Sequence, residues 1–200
     1  MTRIKLCGLM EESDIDCANT LMPDYIGFVF YGKSKRYVDK DTAGKLRKKL
    51  KDGIRAVGVF VDERPEIVAG YAEEGMIDII QLHGHEDDSY IEELRTLTDK
   101  PVIRAFRIDS EHSLEAAVKS TADHILLDSG AGTGETFDWS LLKRIDRPYF
   151  LAGGLTPENV NEAVKTLDPF AVDVSSGIET GGKKDHEKMK TFTEAVRSEA

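Results

Sequence analysis

The chain has 200 residues, of which 40% are hydrophobic and 32% charged, a balance typical of a soluble globular protein. We expect one domain over residues 1–200, because this length can bury a sizeable core. The formal net charge of −10 argues against nucleic acid or an anionic membrane as the main partner. Cys7 and Cys17 lack zinc-ligand spacing and cannot form a disulfide framework, which predicts a reducing, cytoplasmic setting. We find no run resembling a signal peptide or a membrane span.

Short apolar runs alternate with amphipathic stretches along the chain. The predicted strands cover residues 3–7, 25–30, 55–61, 78–82, 102–108, 124–128, 149–153 and 171–175. The predicted helices cover about residues 13–21, 41–51, 88–97, 110–120, 139–144, 157–167 and 185–198, with one more starting near 65. A glycine-rich loop over 129–139 follows the sixth strand. Pro157 suits the first position of its helix, with Thr156 as the N-cap.

Continuous apolar strands that alternate with helices predict a parallel sheet. Roughly eight strand–helix units predict an α/β fold, a single-domain (β/α)8 TIM barrel, although such barrels typically have ~250 residues. A doubly wound open sheet is the main alternative. No GxGxxG motif follows the first strand, which disfavours dinucleotide binding. In a barrel, we expect the functional residues at the carboxyl ends of the strands.

The loops after the seventh and eighth strands are rich in small residues. The first holds Gly153 and Gly154, and the second holds Ser175, Ser176 and Gly177. Glycine lets backbone N–H groups approach a ligand closely. Because (β/α)8 barrels commonly bind phosphate after strands seven and eight, these loops predict a phosphate cradle. Two ordinary tight turns are the alternative.

Cys7 and Asp128 end the first and sixth strands, where they could face each other across the barrel mouth. With a pKa of about 8.5, a free thiol is only about 3% thiolate at neutral pH, so a base role needs local positive charge. Cys7 shares a strand face with Lys5. Asp128 follows an apolar run, whose surroundings would raise its pKa and suit a general acid. The structural alternatives are a small buried hydrophobe for Cys7 and a loop cap for Asp128.

Three other polar residues are candidates for ligand contact. Arg36 can bind a carboxylate through its planar fork, and a solvated loop charge is the alternative. His83 is predicted to touch the ligand or to be structural, and too few further ligands accompany it and His85 for a metal site. Asp173 either touches the ligand or forms a buried ion pair with Lys5.

Together these segments resemble the phosphoribosylanthranilate isomerase family of tryptophan biosynthesis. The similar segments are KLCGL (5–9), DYIGFVFY (24–31), SKRYV (34–38), VGVFVD (57–62), DIIQLHG (78–84), LLDSGAGTGETFDW (126–139), LAGGLTPENV (151–160) and VDVSSGIET (172–180). The resemblance implies an Amadori rearrangement of N-(5′-phosphoribosyl)anthranilate to 1-(2-carboxyphenylamino)-1-deoxyribulose 5-phosphate. It implies neither cofactor nor metal.

The resemblance also implies roles for individual residues. Asp128 would be the general acid that opens the ribose ring, and Cys7 the general base that removes the proton from C2. Arg36 would hold the anthranilate carboxylate. The phosphate would lie on the loops of Gly154, Ser176 and Gly177. His83 and Asp173 are predicted, from their positions alone, to contact the substrate.

Competing functions stay open at this point. The related histidine-pathway isomerase acts on an aminoimidazole substrate, but its family has a carboxylate where this chain has Cys7. A metal-dependent pentose-phosphate epimerase would need more His and Asp ligands than the chain offers. A non-catalytic barrel that binds a phosphorylated ligand is a different class. The expected partner is a small phosphorylated molecule, with the protein a monomer or homodimer.

Overall fold

The structure is a computed structural model that describes residues 1–128, 142 and 145–198. Its first eight strands are β1 (Arg3–Cys7), β2 (Tyr25–Val29), β3 (Arg55–Phe60), β4 (Ile79–Leu82), β5 (Val102–Arg107), β6 (His124–Asp128), β7 (Tyr149–Ala152) and β8 (Ala171–Val174). Its helices are α1 (Glu12–Leu21), α2 (Lys40–Lys49), α3 (Pro65–Glu73), α4 (Asp88–Arg95), α5 (Glu111–Lys119), α6 (Val160–Leu167) and α7 (His186–Arg197). None of these helices is long and apolar enough to cross a bilayer.

The eight strands form a closed barrel in chain order, which confirms the predicted (β/α)8 fold. All neighbouring strands are parallel, and β1 closes the barrel by pairing with β8. The main core lies between strands and helices. A second apolar cluster involving Tyr25, Val57, Ile103 and Phe150 fills the barrel interior near the amino ends of the strands. This packed floor closes the barrel interior at the amino ends, whereas the interior is open at the carboxyl ends of the strands.

A repeated carboxylate contact holds the amino ends of the strands together. An aspartate comes directly before β2, β4 and β6, and each one accepts a hydrogen bond from a backbone N–H near the start of the preceding strand. The three pairs are Asp24 with Ile4 at 2.9 Å, Asp78 with Ala56 at 2.8 Å and Asp123 with Val102 at 2.8 Å. Each contact satisfies a donor that would otherwise lack a partner at the closed end.

Most predicted elements are found within one or two residues of their expected ends, but the start of α6 was predicted wrongly. The helix begins at Val160 and is preceded by Asn159, so Thr156 is not its N-cap. Thr156 instead donates its backbone N–H to the Asn159 side chain at 2.8 Å. The resulting turn delays the helix by three residues. The predicted loop 129–139 and the predicted helix 139–144 lie outside the described residues, apart from Leu142.

The chain between β8 and α7 contains structure that the sequence did not predict. A 3₁₀ turn over Ser176–Ile178 leads into a short antiparallel hairpin of β9 (Glu179–Thr180) and β10 (Lys183–Lys184). Glu179 and Lys184 are directly opposite each other in this hairpin. The hairpin therefore brings two charged side chains to the edge of the barrel mouth.

Candidate active site

A cavity of about 880 Å³ opens at the carboxyl ends of the strands. Its size is within the range of small-molecule sites. Most of the predicted site residues line it, namely Cys7, Arg36, His83, Gly154, Asp128, Asp173 and Ser176. These residues come from strands and loops far apart in the chain. The fold therefore collects the predicted thiol, carboxylates, guanidinium and small-residue loops around a single cavity.

Cys7 is the last residue of β1 and is only 7% exposed. It pairs in register with Gly27 of β2, where an added Cβ would lie 2.7 Å from the Cys7 sulfur. Glycine at this position therefore makes the space for the thiol. The Ser175 hydroxyl donates a hydrogen bond to the Cys7 carbonyl at 3.1 Å and links β1 to the loop after β8.

Lys5 is wholly buried below Cys7 on β1 and donates a hydrogen bond to Asp173 at 2.9 Å. Burial alone would lower the pKa of Lys5, but the charges of Asp173 and Cys7 raise it above its ordinary value. Burial raises the pKa of the Cys7 thiol, and the charge of the nearby Lys5 ammonium opposes this rise. Lys5 thus supplies the positive charge that a buried thiolate needs.

Asp128 ends β6 and faces His83, whose Nε2 atom lies 4.0 Å from Asp128 Oδ2. The Gln81 side-chain amide donates to His83 Nδ1 at 2.9 Å. In this orientation of the amide, Nδ1 is the acceptor, and a neutral ring then carries its proton on Nε2, toward Asp128. Gln81 is almost completely buried, and its Oε1 atom has no hydrogen-bond partner among the described residues.

Arg36 reaches the cavity from the loop after β2. Gly8 leaves room for it, since a Cβ on Gly8 would lie 2.6 Å from Arg36 Cδ, and the φ of +78° at this position also favours glycine. The Arg36 Nε and Nη2 atoms donate to the two oxygens of Glu179 at 2.5 and 2.9 Å. These hydrogen bonds raise the pKa of Arg36 above its ordinary value.

The small-residue loops after β7 and β8 meet beside the cavity. Gly153 and Gly154 have φ values of +92° and +64°, in the left-handed region that favours glycine. An added Cβ on Gly177 would lie 1.9 Å from the Leu155 carbonyl oxygen. Gly154 and Ser176 line the cavity, whereas Gly177 packs against the backbone of the β7 loop.

The prediction from sequence assigned no role to two further residues that line this cavity. Gln81 and Arg107 line the cavity near the ends of β4 and β5. The two-residue period of a strand could have found them, because they follow the inward-facing Ile79 and Ile103 at even spacing. Within the described ranges, no three His, Cys, Asp or Glu side chains are grouped so as to hold a metal ion.

The fold and this cavity define a class of protein: a (β/α)8 barrel enzyme whose site combines a thiol, a carboxylate, a guanidinium and small-residue loops. A sequence model of the N-(5′-phosphoribosyl)anthranilate (PRA) isomerase family matches residues 4–195. The N-(5′-phosphoribosyl)anthranilate isomerase of Caldanaerobacter subterraneus is 48% identical over 204 residues, which cover 98% of each chain. This chain belongs to the PRA isomerase family.

Solved structures show the same similarity. The phosphoribosyl anthranilate isomerase of Thermotoga maritima superposes with a TM-score of 0.92 at 38% identity, over 99% of this chain and 100% of that one. A second phosphoribosyl anthranilate isomerase structure contains reduced 1-(o-carboxyphenylamino)-1-deoxyribulose 5-phosphate. It has a TM-score of 0.88 at 38% identity, with the same coverage. The second structure is thus a complex with a phosphorylated small molecule.

Proposed function

We propose that this protein, as a member of that isomerase family, rearranges N-(5′-phosphoribosyl)anthranilate to 1-(2-carboxyphenylamino)-1-deoxyribulose 5-phosphate. Asp128 is the general acid and Cys7 the general base. The observation that carries this assignment is that both side chains line one cavity, from strands three places apart around the closed barrel. An acid and a base on one small cavity can act on neighbouring atoms of the same substrate.

The first step opens the ribose ring. Asp128 gives its proton to the ring oxygen, the bond from C1 to this oxygen breaks, and the anthranilate nitrogen lone pair forms a C1–N iminium. His83 directs its Nε2 proton toward Asp128 and supports its orientation. After proton transfer, this N–H can interact favourably with the Asp128 carboxylate.

The second step forms the product. Cys7 removes the proton from C2 of the iminium, and the electron pair of that C–H bond forms the C1–C2 double bond of an enolamine. The C2 hydroxyl then loses its proton, C1 gains one, and C2 becomes the ketone. The buried ammonium of Lys5 supports this role, because it stabilises the thiolate form of Cys7.

The remaining residues bind the two ends of the substrate. Arg36 binds the anthranilate carboxylate, for which a guanidinium is well suited. Gly154 and Ser176 offer backbone and hydroxyl groups to the phosphate, and Gly177 lets their loops pack together. Asp173 lines the cavity and pairs with Lys5, and we assign it a contact with the sugar hydroxyls.

The proposed setting follows from the chemistry of the base. A catalytic thiol must stay reduced, which suits the cytoplasm. The single barrel domain spans residues 1–200 and acts as a monomer or homodimer on a small phosphorylated substrate. The net charge of −10 disfavours nucleic acid as a partner.

Two substitutions test the assigned roles. For Cys7→Ala and Asp128→Asn we expect kcat to fall by at least about 1,000-fold, within the range of lost acid–base catalysis. The Kd for the reduced product analogue should change by less than about threefold, since these groups act mainly on the reacting atoms. Kinetics and isothermal titration calorimetry measure the two effects, with Cys17→Ala as the control. Near wild-type turnover in both site variants would refute the mechanism.

A further inference from the structure

The guanidinium of Arg36 is already bound on one edge by a buried carboxylate. Glu179, whose side chain is 6% exposed, accepts hydrogen bonds from both Nε and Nη2 of Arg36. Glu179 is itself held by Lys184, whose wholly buried ammonium donates to Glu179 Oε1 at 2.8 Å. Lys184 also donates to the Ser175 carbonyl at 2.9 Å. The three charged side chains therefore form a fixed cluster next to the cavity.

The shape of a guanidinium decides which edge remains for a ligand. Nε and Nη2 form its side edge, which Glu179 occupies, whereas Nη1 and the second N–H of Nη2 form its end edge. In the part of the chain that the structure describes, no hydrogen bond involves Arg36 Nη1. Arg36 lines the cavity and Glu179 does not. A carboxylate in the cavity can therefore bind the end edge while Glu179 keeps the side edge.

The charges of the cluster match this arrangement. Burial opposes ionisation of Glu179, but Arg36 and Lys184 lower its pKa below the ordinary value, so it is a carboxylate at neutral pH. Two cations and one carboxylate give this cluster one net positive charge, which favours a substrate carboxylate. Glu179 and Lys184 are directly opposite each other in the β9–β10 hairpin, so the backbone pairing fixes their relative positions.

We propose that Glu179, supported by Lys184, is a positioning residue that holds the Arg36 guanidinium with its end edge toward the substrate carboxylate. The proposal rests on the proposed function. It makes the β9–β10 hairpin a determinant of specificity for a carboxylated aromatic amine. Preorganising the arginine lowers the entropic cost of ordering it when substrate binds.

The test compares two ligands that differ in one group. The first is reduced 1-(o-carboxyphenylamino)-1-deoxyribulose 5-phosphate, and the second is the same molecule without the ring carboxylate. Calorimetry gives the Kd of each ligand for the wild type, Glu179→Ala and Glu179→Gln. Glu11→Gln is the matched control, because Glu11 pairs with Lys183 of the same hairpin and does not contact Arg36.

For Glu179→Ala we expect the preference for the carboxylated ligand to fall about tenfold, with little change for the other ligand. The KM for the substrate should rise while kcat changes less than about threefold. Glu179→Gln keeps the side-chain shape and one hydrogen-bond acceptor. Its preference for the carboxylated ligand should therefore also fall, but by less than in Glu179→Ala. The Glu11→Gln control should match the wild type.

Other results would overturn the proposal. If charge alone mattered, removing the carboxylate beside Arg36 would strengthen binding of the carboxylated ligand. An unchanged or increased preference for that ligand would therefore contradict a positioning role for Glu179. An equal loss for both ligands would show a merely structural role for Glu179. Should Glu179→Ala fail to fold, Glu179→Gln decides between these outcomes. A wild type that shows no preference for the carboxylated ligand would instead refute the proposed function.

Discussion

At the scale of single residues, the most informative pair is Cys7 and the lysine below it. A buried thiol favours its neutral form, and burial raises the pKa of Cys7 accordingly. Lys5 counteracts this because its own charge is maintained by Asp173 at 2.9 Å. The ion pair joins β1 to β8 at the closure of the barrel. The Lys5–Asp173 ion pair therefore links two strands of the barrel and also keeps a positive charge beside the proposed base.

Replacing this lysine tests its electrostatic role. For Lys5→Met in a Cys17→Ala background, we expect the pKa of Cys7 to rise further, because the thiolate loses its cation. Alkylation by iodoacetamide should then require higher pH, and the acidic limb of kcat/KM should move to higher pH. Turnover at pH 7 should fall roughly tenfold or more. The variant should also lose about 3–5 kcal/mol of stability, since Asp173 is left without its partner.

The pH profile separates reactivity from stability in this variant. Circular dichroism should establish that Lys5→Met is folded under the assay conditions, and Lys5→Arg restores a charge at the same position. A pH profile identical to that of the Cys17→Ala parent would show that Lys5 does not affect the thiol.

The sequence indicated candidate site residues at strand ends and in the loops that follow them, but it did not indicate Glu179 and Lys184, which contact Arg36 and each other. Cys7 and Asp128 stand out because polar residues close apolar runs. Glu179 and Lys184 lie in a polar segment, where charges usually face solvent. Their burial depends on a hairpin whose sequence signal, the Gly181-Gly182 turn, was not used in the prediction. Only the folded chain shows that Arg36, far away in sequence, completes their cluster.

At the scale of elements, the loops after β7 and β8 depend on close backbone contact. Gly177 occupies the first turn after β8, where any side chain would run into the Leu155 carbonyl. The delayed start of α6 belongs to the same region, since the turn at Thr156 and Asn159 shapes the β7 loop. Pro157 with Thr156 as N-cap suggested an earlier start, but the hydrogen bond from the Thr156 backbone to the Asn159 side chain forms a turn there instead.

Two glycine substitutions test this packing. Gly177→Ala should push the two loops apart, weaken binding of the phosphorylated product analogue by about tenfold or more, and cost about 1–3 kcal/mol of stability. Gly70→Ala is the control, since Gly70 lies within α3 and an added Cβ meets no atom within 4 Å. Gly70→Ala should raise stability by about 0.5–1 kcal/mol. Calorimetry and urea unfolding measure these effects, and unchanged binding in Gly177→Ala would contradict the packing argument.

At the scale of the whole molecule, the two ends of the barrel have different tasks. The amino ends are closed by an apolar floor and by aspartates such as Asp24 and Asp123 that bind neighbouring strands. The carboxyl ends form the cavity with its charged groups. The alternation of strands and helices was enough to predict this division, because chemistry in such barrels lies at the carboxyl ends. The distances between side chains across the cavity depend on the geometry with which the barrel closes, and no pattern in the sequence gives that geometry.

The most direct test of the central assignment is turnover by the wild-type protein. N-(5′-phosphoribosyl)anthranilate would be generated in place, and the loss of its anthranilate-type fluorescence followed after adding catalytic amounts of enzyme with a metal chelator present. The proposed function predicts rapid loss of fluorescence that is insensitive to the chelator. No loss of fluorescence with protein that is folded by circular dichroism would contradict it.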